Sequence, residues 1–176
     1  MGFTPLEGLL MGTRSGDLDA SVVFHVMHEE DLTEHQVTTM LNKHSGLFGL
    51  SGVSNDMREL LAEEAKGHER AKLAIDLFCY RLRKYVAAYA GAMGGVDAVI
   101  FTGGIGENSP AIRARSLAGL EFMGIEVDAA KNDATIGTEA DVSAAGARVK
   151  TLVIPTNEEL IIARDTVRLV AGAENP

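Results

Sequence analysis

The run Thr102-Gly103-Gly104-Ile105-Gly106-Glu107-Asn108-Ser109 sets three glycines beside four polar side chains. Glycines at such a point let a ligand approach the backbone, and a following helix start would offer N–H groups to it. Three readings stay open for this run: a nucleotide-contacting loop, a tight structural turn, or a dinucleotide fingerprint. For the last, Gly104 and Gly106 fit the first two glycines and Asp128 falls at a suitable distance. Ser109, however, stands at the third glycine, and only 48 residues follow Asp128 to complete a sheet. In Pro155-Thr156-Asn157-Glu158-Glu159, Thr156 and Glu159 have the spacing of a capping box. That leaves Glu158 at the carboxyl edge of a strand, where sites of α/β sheets gather. One such carboxylate can hold Mg²⁺ together with phosphates and water. The ordinary alternative is a solvated acid favoured by the helix dipole. Arg14 lies in the loop Gly12-Thr13-Arg14-Ser15-Gly16-Asp17, where its planar, permanently charged fork could clamp a phosphoryl group; a plain surface arginine is the alternative. His25 and His28 with Glu29 and Glu30 do not follow the zinc-protease helix order. Cys79 reads as a small core residue.

The elements that must carry these residues follow from pattern and punctuation. Residues 1–19 read as irregular with a short helix. Residues 20–29 read as a helix, and Thr33 with Gln36 forms a capping box opening another that ends near His44. Residues 47–53 (LFGLSGV) suggest a strand edge or tight loop, and Ser54 or Asn55 a cap for a helix ending near Gly67. The strongest helix spans residues 69–90. Ala71, Ile75, Phe78, Leu82, Tyr85 and Tyr89 recur at alternating steps of four and three, with Lys72, Asp76, Arg83 and Lys84 off that face, and Gly91 and Gly94-Gly95 end it. Residues 97–101 read as a buried strand followed by a glycine-rich turn. Ser109-Pro110 opens a helix, Ser as cap and Pro at the first helical position. Residues 125–127 form a weak strand, residues 131–146 a polar excursion, residues 149–154 a clear strand, and residues 156–170 a last helix. Strands alternating with helices give an α/β layer domain.

Composition narrows the class. With 25 acidic against 16 basic residues the formal charge is −9, and no basic cluster is present, which disfavours nucleic acid as a partner. The 46% hydrophobic and 23% charged content argues for a packed domain rather than disorder. A single cysteine forms no internal disulfide and suits a reducing cytoplasm. The charge-free stretch at residues 86–96 is far short of the ~18 residues of a membrane span.

Four segments together closely resemble the C-terminal half of acetate kinases. They are MGFTPLEGLLMGTRSGDLD (residues 1–19), SGLFGLSGVSNDMR (45–58), FTGGIGENS (101–109) and VIPTNEELIIARDT (153–166), in matching order and spacing across essentially the whole chain. The resemblance implies an α/β, ribonuclease-H-like lobe of the actin, hexokinase and Hsp70-ATPase type, a mixed sheet flanked by helices. It implies the reversible reaction of ATP with acetate to ADP and acetyl phosphate, with Mg²⁺ (or Mn²⁺), in a cytoplasmic homodimer. Carried over residue by residue, Arg14 stabilises the phosphoryl group in flight, while Asp56, Met57 and Arg58 contact the nucleotide. Gly104, Ile105, Gly106, Glu107 and Asn108 lie around adenosine, Glu158 binds the metal directly or through water, and Pro5 belongs to the acyl pocket. Arg14, the turn at 104–106 and Glu158 are expected on one cleft. The N-terminal half of these kinases, with its own phosphate loop, acyl-facing arginine, histidines and catalytic aspartate, is not represented. The 176 residues are therefore expected to be a nucleotide-binding fragment with negligible kinase activity alone. Ala20, where the family commonly has Pro, touches only a loop. Two other readings remain: a non-catalytic nucleotide-binding and dimerisation module using the helix at 69–90, and an NAD-type domain.

Overall fold

The longest element, α5 (Glu69–Met93), is the spine of the molecule in this computed structural model, which describes residues 2–172. Its 25 residues extend about 37 Å at 1.5 Å per residue. His68 Nδ1 accepts the Ala71 N–H at 3.1 Å to open it. It runs through Gly91 and stops at Gly94, whose φ of +75° suits glycine. Gly91 has helical freedom but no positive φ, so it does not end the helix as expected.

Before it come α1 (Ala20–Glu29), α2 (Glu34–Lys43), α3 (Gly46–Ser51) and α4 (Met57–Ala65). Asp19 caps α1, and the Thr33–Gln36 capping box opens α2 as the spacing required. Residues 2–19 hold turns and no helix. Residues 47–53, expected as a strand edge or loop, fall largely in α3. The cause is tertiary: the otherwise orphaned N–H groups at its start donate to the loop before Arg14, Leu47 to Met11 O and Phe48 to Gly12 O, both at 2.9 Å. The cap of α4 is Asp56 rather than Ser54 or Asn55. The Ser54 hydroxyl is engaged elsewhere, accepting the Asp56 N–H at 3.0 Å and donating to Glu59 Oε2.

After α5 come β1 (Ala98–Phe101), α6 (Gly103–Asn108), α7 (Pro110–Leu117), a 3₁₀ turn at Glu121–Met123, α8 (Ala129–Ala134), β2 (Ala140–Asp141), β3 (Lys150–Val153) and α9 (Glu158–Val170). The sheet is small and mixed, in order β1-β3-β2. β1 runs parallel to β3 with Ala98 opposite Lys150 and Phe101 opposite Val153, and β2 is antiparallel to β3. Residues 125–127 contribute only isolated bridges, Ile125 to Val149 and Val127 to Ser143. The polar excursion at 131–146 holds most of α8 and all of β2. β1 is not fully buried as expected: Ile100 is 54% exposed, because β1 lies at the edge of the sheet and one of its faces is uncovered.

Two apolar clusters share α5. Its first half packs Ala71, Ala74, Ile75 and Cys79 with Leu10, Leu47, Met57, Leu60 and Ile112. Its second half lays Leu82, Val86 and Ala87 against Phe101, Leu117, Ile125, Val142, Val149 and Val153 of the sheet layer. The single spine thereby fixes α4, which carries Asp56, relative to β1 and α6, which carry the glycine run.

Candidate functional site

Asn55, Asp56, Met57, Arg58 and Leu61 face Gly104, Ile105, Asn108 and Ser109 across a cleft of about 660 Å³. The two sides are about fifty residues apart in sequence, and the volume suits a small-molecule ligand. On the α4 side, Asp56 both caps the helix and clamps Arg58. Its Oδ1 accepts the Arg58 N–H at 2.8 Å and Nε at 3.0 Å, and Oδ2 accepts Nη2 at 2.6 Å. The guanidinium holds the Asp56 carboxyl down at about 2. Met57 is 4% exposed and anchors this rim in the first apolar cluster.

The opposite side is the run expected as a glycine-rich turn, which is instead the six-residue helix α6. Its start is not free: the Gly103 N–H donates to Glu107 Oε1 at 2.7 Å. Gly103 needs its φ of +71°, whereas Gly104 has no such need, and a Cβ on it would meet nothing within 4 Å. Neither backbone conformation nor internal packing demands glycine at 104, and the space beside it is the cleft. A Cβ on Gly106 would meet Phe101 at 3.4 Å, an ordinary contact, so that residue faces the strand. Asn108 Nδ2 donates back to Gly104 O at 3.0 Å. Ser109 precedes α7 without a side-chain capping bond.

Among the sequence-predicted residues, the cleft gathers Asp56, Met57, Arg58, Gly104, Ile105 and Asn108. Gly106, Glu107, Arg14, Glu158 and Pro5 do not line it. Glu107 turns away to accept the Thr156 N–H at 2.8 Å and its hydroxyl at 3.1 Å, and these donors hold its carboxyl below the usual range. Thr156 therefore does not cap α9, correcting the expected Thr156–Glu159 box. Asn157 caps it, accepting the Leu160 N–H at 3.0 Å. Glu158 is exposed in the first turn of α9 and makes no hydrogen bond or ion pair among the described residues. Arg14 is half-buried, and its guanidinium meets no carboxylate among the described residues, only Met11 Sδ at 3.7 Å. Its loop borders the cleft through Gly12, where a Cβ would lie 3.2 Å from Asn55 O. Pro5 is exposed. Asp128, the acid of the dinucleotide reading, instead caps α8 by accepting the Lys131 N–H at 3.0 Å. Among the described residues no group of three or more His, Cys, Asp and Glu gathers to hold a metal, His25 and His28 included.

Arg113 went unnoticed in the sequence. It is fully buried, and all five of its N–H donors are engaged. Nε reaches Asn132 Oδ1 at 2.8 Å, Nη1 reaches Gly106 O at 2.8 Å and Glu107 O at 3.1 Å, and Nη2 reaches Asn132 O at 2.9 Å and Thr135 O at 2.7 Å. Burial pulls the guanidinium below its ordinary value, and no carboxylate offsets this by direct contact. It ties the end of α6 to α8. In the helix PAIRARSL nothing distinguishes it from Arg115, which pairs with Glu64 near the surface. Asn55, Leu61 and Ser109 were also missed as lining residues, although Asn55 and Ser109 stand inside quoted motifs.

Fold and cleft thus define a helix-rich α/β lobe with a small mixed sheet and a ligand-sized cleft between α4 and α6. Residues 1–164 match the model of the acetokinase family, and the chain belongs to that family. It is 55% identical over 172 residues to the acetate kinase of Heliobacterium modesticaldum, covering 98% of this chain and 43% of that protein. To the acetate kinase of Treponema denticola it is 54% identical over 170 residues, covering 97% and 43%. Among solved structures, the acetate kinase of Porphyromonas gingivalis superposes with a TM-score of 0.91 at 46% identity, covering 97% of this chain and 43% of that one. A propionate kinase from Francisella tularensis gives 0.86 at 43% identity, covering 94% and 42%. The chain therefore spans about 43% of the length of these relatives. No helix among the described residues is long and apolar enough to cross a membrane.

Proposed function

We propose that the chain is the nucleotide-side lobe of an acetate kinase, a lobe of the actin, hexokinase and Hsp70-ATPase type. The complete enzyme would transfer the γ-phosphoryl group of ATP reversibly to acetate or a similar short carboxylate, giving ADP and an acyl phosphate in the cytoplasm. The observation that carries this reading is the cleft where Asn55–Arg58 meet Gly104–Asn108, with glycine at the one wall position that the fold itself does not require to be glycine. In that cleft the backbone around Gly104 lets the nucleoside approach, and the α4 start with its Asp56–Arg58 clamp forms the other wall. Gly106 faces Phe101 and Glu107 faces Thr156, away from the cleft, so in this reading neither sets the affinity for the nucleotide itself.

In-line phosphoryl transfer depends on positioning and on neutralising charge over the equatorial oxygens. Arg14 suits the second task because its guanidinium is half-buried without an anionic partner among the described residues. A planar fork matches a phosphoryl group better than an ammonium does. Glu158 would hold Mg²⁺ or Mn²⁺, directly or through water, its oxygen donors being of the hard type these ions take and its carboxylate unpaired among the described residues. Bound with the nucleotide, the ion supplies neutralisation of phosphate charge. Pro5 would belong to the acyl pocket, whose other walls lie outside this chain.

Calorimetric titration tests the reading: the chain should bind ADP more tightly with Mg²⁺ than without, and NADH not at all. Glu158→Ala should remove most of the Mg²⁺ enhancement, and acetyl phosphate formation by this chain alone should be negligible. NADH binding with indifference to Mg²⁺-ADP would overturn the proposal.

A second reading, a binding and dimerisation module without catalysis, was expected to use the helix at 69–90, but α5 packs into both internal clusters, so the reading draws instead on the exposed apolar residues of α9. Ile161 and Ile162 are over 60% exposed there, and no α9 residue is buried. A strictly monomeric chain in light scattering would remove it.

A further inference from the structure

Between the last ladder bond of the sheet edge, Ile154 N–H to Phe101 O at 2.9 Å, and the cap of α9, the chain crosses Pro155, Thr156 and Asn157. Pro155 has no N–H to donate. Helix α9 buries no residue among those described, so packing does little to fix where it begins. What crosses to the rest of the lobe is the Glu107 carboxylate. Its Oε1 takes three donors: the Gly103 N–H at 2.7 Å, the Thr156 N–H at 2.8 Å and the Thr156 hydroxyl at 3.1 Å. Glu107 meets no cation in an ion pair among the described residues, and beyond these donors the Thr102 side chain also hydrogen-bonds to its carboxylate. It belongs to α6, the helix whose Gly104, Ile105 and Asn108 wall the cleft, and Thr156 stands two residues before Glu158.

We propose that Glu107 is a positioning residue that latches the nucleotide wall to the segment carrying Glu158, so that α6 and the start of α9 hold one spacing. This rests on the proposed reading of Glu158 as the metal carboxylate. An ionised carboxylate accepting three donors is strong enough to hold a short loop, charge-assisted bonds of this type being about twice as strong as neutral ones. Losing it would free residues 155–158 to move against the cleft, while the cleft walls, held by α5 and by Arg113, would stay as they are. The latch therefore separates two quantities: affinity for metal-free ADP, set by the walls, and the gain that Mg²⁺ adds, set by where Glu158 sits.

The test uses the 176-residue chain with Glu107→Ala, Glu107→Gln and Thr156→Val, each titrated with ADP alone and with ADP plus Mg²⁺, and each followed by hydrogen exchange without ligand. Glu107→Ala should bind metal-free ADP within twofold of the unaltered chain yet lose roughly tenfold of the Mg²⁺-dependent gain. Its residue 156 amide should exchange at least tenfold faster. Glu107→Gln, whose amide oxygen can accept the same donors, should restore most of both, and Thr156→Val should show an intermediate loss. An unchanged Mg²⁺ gain or unchanged exchange at residue 156 in Glu107→Ala overturns the latch alone. A fall in metal-free ADP affinity matching the fall with Mg²⁺ also overturns it, by placing Glu107 on the nucleotide. An unaltered chain with no Mg²⁺-dependent gain overturns the reading of Glu158, and the latch with it.

Discussion

Replacing Arg113 by Met should be among the most damaging single changes available in this lobe, and the structure gives the size of the loss. Five acceptors surround the guanidinium, but they are not equal. Glu107 O keeps a second donor, the Gly137 N–H at 3.0 Å, and Asn132 O keeps the Thr135 N–H at 3.1 Å. Gly106 O has none, because the residue four positions on is Pro110, which has no N–H. Thr135 O and Asn132 Oδ1 likewise have no other donor among the described residues. Methionine would leave two buried acceptors, Thr135 O and Asn132 Oδ1, and the part-buried Gly106 O unpaired, the buried ones costing about 1–3 kcal/mol each before relaxation. With the part-buried acceptor adding a smaller amount, the total comes to about 3–5 kcal/mol. At about 2–4 °C per kcal/mol for a domain of this size, Tm should fall by roughly 6–20 °C. Urea and thermal unfolding followed by far-ultraviolet circular dichroism measure it directly. Arg115→Met is the matched control: Arg115 meets Glu64 at 2.8 Å but is 38% exposed, so its loss should cost no more than about 1 kcal/mol. If the two variants lose equal stability, the reasoning that the Arg113 network is sealed from water is refuted.

The remaining predictions concern backbone and charge. Gly46→Ala places a Cβ at φ +62° and 2.2 Å from Met11 O, with Arg14 O at 2.7 Å, so the loop carrying Arg14 must move. The loss should exceed about 2 kcal/mol, whereas Gly146→Ala, at φ +86° in open space, should show only the left-handed cost of about 1–2 kcal/mol in urea midpoints. Asp56→Asn keeps an N-cap but releases Arg58. Because the folded carboxyl sits at about 2, below the ordinary 3.8 of a free aspartate, its stabilisation is complete above 3.8 and is lost as pH falls toward 2. Melting temperature should therefore decline less steeply for the variant than for the parent across that window, and parallel slopes would contradict the clamp.

Much of the scaffold was legible because its signals are local. The boundaries of α1 agree with the sequence reading, and the Thr33–Gln36 box opens α2 as expected, since a cap side chain needs only its neighbours to act. The α5 periodicity held through Leu82, with Phe78 packing on the first cluster and Leu82 on the second, but Tyr89 on the expected apolar face is 60% exposed, because the packed side of the helix there is the one carrying Val86, Ala87 and Ala90. The site was half legible. The motifs named both cleft walls, yet pattern did not reveal that Glu107 faces Thr156 or that Gly106 faces Phe101.

The amino-acid order alone determined where α1 and α2 begin, that β1 and β3 are strands, and which loops are rich in glycine, for each is settled within a few residues. Only the folded chain decided that residues 46–51 are helical, that Thr156 serves Glu107 instead of α9, and that Arg113 is sealed in while Arg115 is not. Each of those outcomes depends on a donor or acceptor supplied from another part of the chain, and hydrogen bonds across the fold leave no periodicity in the sequence to read.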